Sequence, residues 1–344
     1  MFDRKFQFKK EYPNSFLLSD DVETVGSFLK DHSFIDEDTA LLSLEKPGEG
    51  NMNYVLRAKM DDGSSFIIKQ SRPWVEKYNQ IDAPIDRILV ERTYYERISK
   101  IDLLNSYSPQ VLGVDKKSRI MIIEDLGEAS DLTSVYKTDE TFSQNEINSC
   151  IEYLNYLVKI NDLKGMPSNI KMRKLNHQHI FNLPLVEDNG FNLDDIQQGL
   201  QAVSKEFKSD DVLKQRIAEL GDVYLGNGNV LVHGDFYPGS ILKTKNGIHV
   251  IDPEFSFIGP SEWDIAIFIA HLLMAKVETD EAMNIFTRFE QSIQFNMQQF
   301  SGFVGTEIIR RIIGLAQLPL TLSLNEKHAL LLAATKWVKK GEIS

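Results

Sequence analysis

Between Val230 and Asp264 the chain brings together an imidazole, three carboxylates and a hydroxyl: His233, Asp235, Ser240, Asp252 and Glu254. Val230-Leu231-Val232 is apolar and β-prone, which predicts a short buried strand. His233-Gly234-Asp235 then puts a carboxylate on the loop leaving that strand. Two further strands are expected over residues 240–244 and 248–252, joined by Asn246-Gly247, the pair that suits a type I′ turn. With those two as turn residues, Lys245 faces Ile248, Ile241 faces Asp252 and Ser240 faces Pro253. Asp252 and Glu254 are two residues apart, so an extended chain points both to one side. Carboxylates held this close repel one another unless a cation sits among them. Hard oxygen ligands suit Mg²⁺, which takes one or two carboxylates and completes its shell with phosphate oxygens and water.

The elements that would position these groups can be read in order. Residues 15–31 carry apolar positions at helical spacing, with Ser19 or Asp20 expected as the cap. Strands are predicted over 41–45, 53–60 and 64–69, the last two joined by Asp61-Asp62-Gly63. The first two are linked by a stretch holding Gly48, Gly50, Asn51 and Asn53, where small residues let backbone amides approach an anion. The third strand ends at Lys69. A helix over 84–100 carries Glu91 and Glu96, strands follow at 110–114 and 119–124, and Glu124-Asp125-Leu126-Gly127 breaks the pattern. Beyond it the periodicity is helical. A capping box at Ser143 and Glu146 opens a helix to about residue 163. Residues 171–192 read as connection, and helices are expected near 194–207, 210–225, 261–277, 280–299, 303–318 and 324–340. In the penultimate helix Ile308, Ile309, Ile312 and Ile313 form an apolar arc flanked by Arg310 and Arg311.

With 344 residues, the chain is long enough for two domains. Its 50 acidic residues outnumber 38 basic ones, which argues against a nucleic-acid partner, because a phosphate backbone calls for a basic face. The single cysteine, Cys150, excludes an intramolecular disulfide framework. The start of the chain lacks the apolar core of a signal peptide. The longest apolar run, residues 265–275, is interrupted by His271 and is too short to span a bilayer, so no membrane partner is expected. A cytoplasmic setting is the expectation.

The motifs in this order resemble the protein-kinase-like fold in its small-molecule branch, where H-G-D and D-x-[DE] carry the chemistry. The stretches GEGNMNYV, IIKQ, EDLG, HGDFYPGSI, IDPEFSFIGPSEWDI and EIIRRIIGLAQ narrow the resemblance to the 5-methylthioribose kinase family, in the aminoglycoside phosphotransferase and choline kinase superfamily. The resemblance implies an α+β bilobal fold: residues 1–124 as a nucleotide-binding lobe with a five-stranded antiparallel sheet plus helix, and residues 125–344 as a larger, mainly helical catalytic and substrate lobe. It implies ATP and Mg²⁺ as cofactors and a sugar-like acceptor, 5-methylthioribose, in methionine salvage. Aminoglycoside, choline or homoserine are the alternative acceptors, and a nucleotide-binding pseudokinase is the rival from another class.

By the same resemblance Asp235 is the catalytic base or hydroxyl-orienting residue. Asp252, Glu254 and Ser240 are metal ligands, Ser240 standing where the wider fold has Asn. Gly48, Gly50, Asn51, Asn53 and Lys69 contact the nucleotide, Glu91 partners Lys69, and the backbone from Glu124 to Leu126 meets adenine. Arg310, Arg311 and Tyr237 contact the substrate, and Asp264 supports the catalytic loop. A homodimer is implied as well, although no interface signal is visible in the sequence. The chain departs from the family at Tyr237-Pro238, where the family typically has His-Thr, at residues 70–90, and in being shorter.

Overall fold

The computed structural model describes residues 4–48, 52–137, 139–290 and 295–343. The chain divides into two compact units, one comprising residues up to Glu128 together with Asp252–Glu254, the other Ala129–Ile251 and the residues from Phe255 onward.

The first unit holds α1 (Arg4–Glu11), α2 (Val22–Asp31), strands β1 (Leu41–Glu45), β2 (Tyr54–Met60) and β3 (Ser65–Gln70), α3 (Arg87–Ile98), α4 (Asp102–Ser106), β4 (Val111–Asp115) and β5 (Ile120–Glu124). The strands form one antiparallel sheet in the order β1-β2-β3-β5-β4. Strand periodicity divides β3 between two faces. Phe66 and Ile68 join Val25, Phe28 and Leu29 of α2 in a core with Leu56, Ala58, Ile120 and Ile122. Lys69, one residue on, points to the opposite face, paired in register with Val55 and Met121. Helix α2 is capped by Asp21, one residue later than expected, whose side chain accepts from Thr24 N at 2.7 Å.

The second unit holds β6 (Ser130–Asp131), α5 (Gln144–Leu157), α6 (Ile170–His177), α7 (Leu200–Lys208), α8 (Asp211–Leu225), β7 (Val230–Val232), β8 (Ile241–Thr244), β9 (Gly247–Val250), β10 (Phe257–Gly259), α9 (Trp263–Met274), α10 (Thr279–Phe286), α11 (Met297–Ile313) and α12 (Leu324–Lys340). The capping boxes at Ser143/Glu146 and Ser323/Glu326 open α5 and α12. Helix α11 packs against both α9 and α12 and is buried on every side from Phe300 onward. Among the described residues no helix is long and apolar enough to cross a membrane.

Three expectations about this unit need correction. Residues 170–177 are helical rather than connecting, because Met172 and Arg173 are buried. Helices α10 and α11 lie over 279–286 and 297–313 instead of 280–299 and 303–318, the second being capped by Asn296, which accepts from Gln298 N and Gln299 N. The β8–β9 hairpin is displaced by two residues: Thr244 faces Gly247 and Ile241 faces Val250. The Thr244 hydroxyl fixes this turn, accepting from Asn246 N and donating to Gly247 O, each at 3.1 Å. A two-residue shift leaves the faces unchanged but alters the partners. Ser240 is thereby set in a 3₁₀ turn, and its carbonyl accepts from Ile251 N at 2.9 Å.

Candidate active site

In the first unit Lys69 is almost fully buried and lies between two carboxylates. Its ammonium donates to Glu91 Oε1 at 2.5 Å and also to Asp252 Oδ1. Burial alone would lower its pKa; Asp252 and Glu91 outweigh burial and raise it, so Lys69 is a fixed positive charge. Glu96 lies on the surface of α3 and pairs with Arg92.

Asp252 has φ 62°, the left-handed region that a residue with a Cβ seldom occupies. Its side chain remains 46% exposed. Glu254 is enclosed: Asn53 Nδ2 donates to its Oε2 at 3.0 Å and Arg87 Nε lies 3.1 Å away. Burial pushes the Glu254 carboxyl up to about 7, against the pull of Arg87 and Lys69.

Arg87 was not singled out in the sequence, yet it links most of this neighbourhood. Its guanidinium donates to the carbonyls of Arg72 (2.6 Å), Pro84 (2.9 Å), Met52 (2.7 Å) and Trp74 (3.3 Å), besides pairing with Glu254. Only one signal could have found it, an arginine opening a helix that otherwise faces the sheet.

Gly48 borders open space, and Gly50 and Asn51 lie outside the described residues. Glu124 is exposed and its N–H is committed to Gln110 O at 2.9 Å, while Leu126 is half-buried. Asp125 is structural, held by Arg57 through two contacts of 2.8 and 2.9 Å.

In the second unit Asp235 follows Gly234, whose φ of 91° and close approach to Phe255 O exclude a side chain. The loop is held from beneath. Asp264, in the first turn of α9, accepts from His233 N at 2.6 Å and Gly234 N at 3.0 Å. Burial lifts the Asp264 carboxyl to about 7 in spite of those bonds. Trp263 Nε1 donates to Gly234 O, and His233 Nε2 bonds to Ile251 O. Ser240 is buried, with its N–H donated to Tyr237 O.

Arg310 and Arg311 are buried rather than solvated, and both turn toward Asp235 Oδ1, at 3.6 and 3.4 Å. The Arg311 guanidinium also lies over the Tyr237 ring, 4.8 Å from its centroid. Both arginines are anchored by Glu307, which approaches each Nε at 2.7 Å. Glu307 lies three and four residues before them, the helical spacing that juxtaposes side chains, and that spacing was the signal available in the sequence. Its carboxyl is held well below the ordinary range, since the two guanidiniums outweigh burial.

Residues 172–302 match the model of the phosphotransferase enzyme family. Methylthioribose kinase of Bacillus cereus (strain B4264) is 28% identical over 337 residues, covering 85% of this chain and 84% of that protein. Methylthioribose kinase of Bacillus mycoides (strain KBAB4) is 27% identical over 349 residues, with the same coverage. The chain is a small-molecule phosphotransferase. Its fold is protein-kinase-like, as in the crystal structure of LicA in complex with AMP (16% identity, 93% of this chain and 98% of that one, TM-score 0.52). Choline kinase from Cryptosporidium parvum Iowa II is similar in the same way (15% identity, 93% and 97% covered, TM-score 0.53). Phosphoryl transfer to a hydroxyl asks the protein mainly for positioning and charge stabilisation, and each unit of this phosphotransferase holds a buried set of charged groups.

Among the described residues no group of three or more His, Cys, Asp or Glu is arranged to hold a metal ion. Mg²⁺ does not require one, since phosphate and water supply most of its shell. The half-exposed Asp252 carboxylate fits that role. The buried Asn53 Oδ1, without a hydrogen-bond partner among the described residues, is a further hard oxygen on the side chain that donates to Glu254.

Proposed function

We propose that the chain is an ATP- and Mg²⁺-dependent kinase that phosphorylates the 1-hydroxyl of 5-methylthioribose. The observation that carries this reading is the convergence of two buried arginines on Asp235. A cationic acceptor such as choline or an aminoglycoside would have to approach Asp235 against both guanidiniums. A neutral polyhydroxyl acceptor meets donors suited to its oxygens instead. Similarity to methylthioribose kinases over most of the chain supports the same acceptor.

In this reading the first unit is the nucleotide-binding lobe and the second the catalytic and substrate lobe. Asp235 orients the acceptor hydroxyl and takes its proton as the oxygen–phosphorus bond forms and the bond from the γ-phosphorus to the ADP oxygen breaks. Arg310, Arg311 and Tyr237 contact the acceptor, and the guanidiniums offset charge on the transferring group. Lys69, fixed by Glu91, contacts the nucleotide phosphates, assisted by Gly48 and Asn53, while the backbone from Glu124 to Leu126 receives adenine. Asp252, with Glu254 in support, would hold Mg²⁺, which would supply charge neutralisation to the phosphate oxygens.

The test is ATP consumption with Mg²⁺ across methylthioribose, other pentoses, choline, homoserine and an aminoglycoside. Turnover confined to methylthioribose is the expected result. Turnover confined to a cationic acceptor would refute the acceptor assignment. Asp235→Asn should lose at least ~10³-fold in kcat with ATP binding retained, and a fully active variant would remove Asp235 from the mechanism.

A further inference from the structure

Glu307 cannot meet a substrate, being 1% exposed. Both of its oxygens face cationic or polar groups inside the protein. Oε1 accepts from Arg311 Nε at 2.7 Å and from His271 Nε2 at 3.1 Å, while Oε2 lies 2.7 Å from Arg310 Nε. The tautomer of His271 follows from these partners. Burial drives its pKa down to about 4, so the ring is neutral, and a carboxylate can only accept; Nε2 therefore carries the proton. Nδ1 is left as an acceptor for Tyr136 Oη at 2.5 Å. The Tyr136 carbonyl is fixed in turn by Thr321, through its N–H at 3.2 Å and its hydroxyl at 2.7 Å.

The buried chain thus runs Tyr136, His271, Glu307 and then both arginines. Arg311 is hydrogen-bonded at Nε, while Arg310 Nε is held beside Oε2 by charge, without hydrogen-bond geometry; both contacts direct the terminal nitrogens. Among the described residues, the side-chain contacts to the Asp235 carboxylate fall on Oδ1.

We propose that Glu307 is the positioning residue of the acceptor site. With Tyr136 and His271 fixing its carboxylate, it holds Arg310 and Arg311 so that both engage Oδ1 of Asp235 and Oδ2 is presented to the acceptor hydroxyl. The inference rests on the proposed role of Asp235. A lost pin lets long side chains swing, and displacements on the order of 1 Å at such a site cost ~100-fold in rate.

The experiment compares the full chain with Glu307→Gln, Glu307→Asp and Tyr136→Phe. It uses ATP, Mg²⁺ and the acceptor that the panel above identifies, methylthioribose in the first instance, with thermal melts to establish folding. Glu307→Gln should lower kcat ~100-fold and leave the KM for ATP within about twofold. Glu307→Asp, which restores the charge, should recover part of the loss. Tyr136→Phe should lower kcat a few-fold, and it carries the test if Glu307→Gln does not fold. Folded variants with unchanged kcat, or with a change confined to the KM for ATP, would overturn the inference. An inactive Asp235→Asn beside a normal Glu307→Gln overturns this inference alone, whereas an active Asp235→Asn overturns the reading beneath it.

Discussion

Replacing His271 with glutamine should flatten the acid limb of the stability profile. The imidazole is fully buried beside Tyr136, Tyr237, Glu307, Arg311 and Asp235, and burial holds its pKa at about 4. In the unfolded chain it titrates near 6.5. A lowered histidine means that the unfolded state binds more protons between those values, so stability from this group falls as pH drops from about 6.5 toward 4. The full difference corresponds to about 3 kcal/mol, most of which is already lost at about pH 4.5. Buried carboxyls raised to about 7, such as Asp264, act in the opposite sense, their contribution growing as pH falls, but they do so in both proteins and cancel in the difference. The assay is urea unfolding near pH 7 and near pH 4.5, followed by the fluorescence of Trp263 and Trp337, both buried in the second unit. Wild type should lose about 2 kcal/mol more than the variant across that interval. Parallel losses, within ~0.5 kcal/mol, would show that His271 is not held neutral and would refute the tautomer assigned to the relay.

Arg87→Met should destabilise the protein by ~3–5 kcal/mol, because it strands the buried Glu254 carboxylate and four carbonyls. The deficit should grow with pH across the Glu254 value of about 7, and Glu254→Gln in the same chain should relieve part of it; an additive double variant would refute the coupling. Lys69→Ala should raise the KM for ATP at least ~10-fold while leaving the KM for the acceptor near the wild-type value. Initial-rate kinetics in both substrates would decide, and an unchanged KM for ATP would remove Lys69 from nucleotide binding.

What the sequence disclosed depended on how local each signal was. The strands at Tyr54–Met60 and Ser65–Gln70 and the two capping boxes are set by residues a few positions apart, and their spacing was readable. The Asn246-Gly247 turn was equally local yet gave a register two residues off, because the Thr244 hydroxyl outcompeted the glycine preference. Residues 170–177 looked like connection because their burial comes from tertiary packing rather than from a periodic apolar face. The polar chain from Tyr136 through His271 to Glu307 joins positions 135 and 36 residues apart. In the sequence His271 merely interrupted an apolar run. Arg310 and Arg311 had flanked an apolar arc, which describes a solvated pair as well as a buried one; only the packing of α11 against α9 and α12 decides between them.

The two clusters differ in charge, and the difference bears on what each can receive. Around Lys69 and Arg87 stand three carboxylates, Glu91, Asp252 and Glu254, so two fixed cations face three acids. Two of those acids, Glu91 and Glu254, are raised by burial to about 7 against the pull of the cations, with neighbouring carboxylates adding to the rise. A divalent cation at the exposed Asp252 would reverse that excess and make the site attractive to a polyphosphate. Around Asp235 stand Arg310 and Arg311, facing Asp235 and Glu307, with His271 neutral and with Asp264, raised by burial to about 7, under the loop. That set has no cationic surplus of the size that would draw in an anionic acceptor, and its guanidinium N–H groups suit hydroxyl oxygens. Under the proposed function, this difference would suit metal and phosphate in the first unit and an uncharged hydroxyl compound in the second.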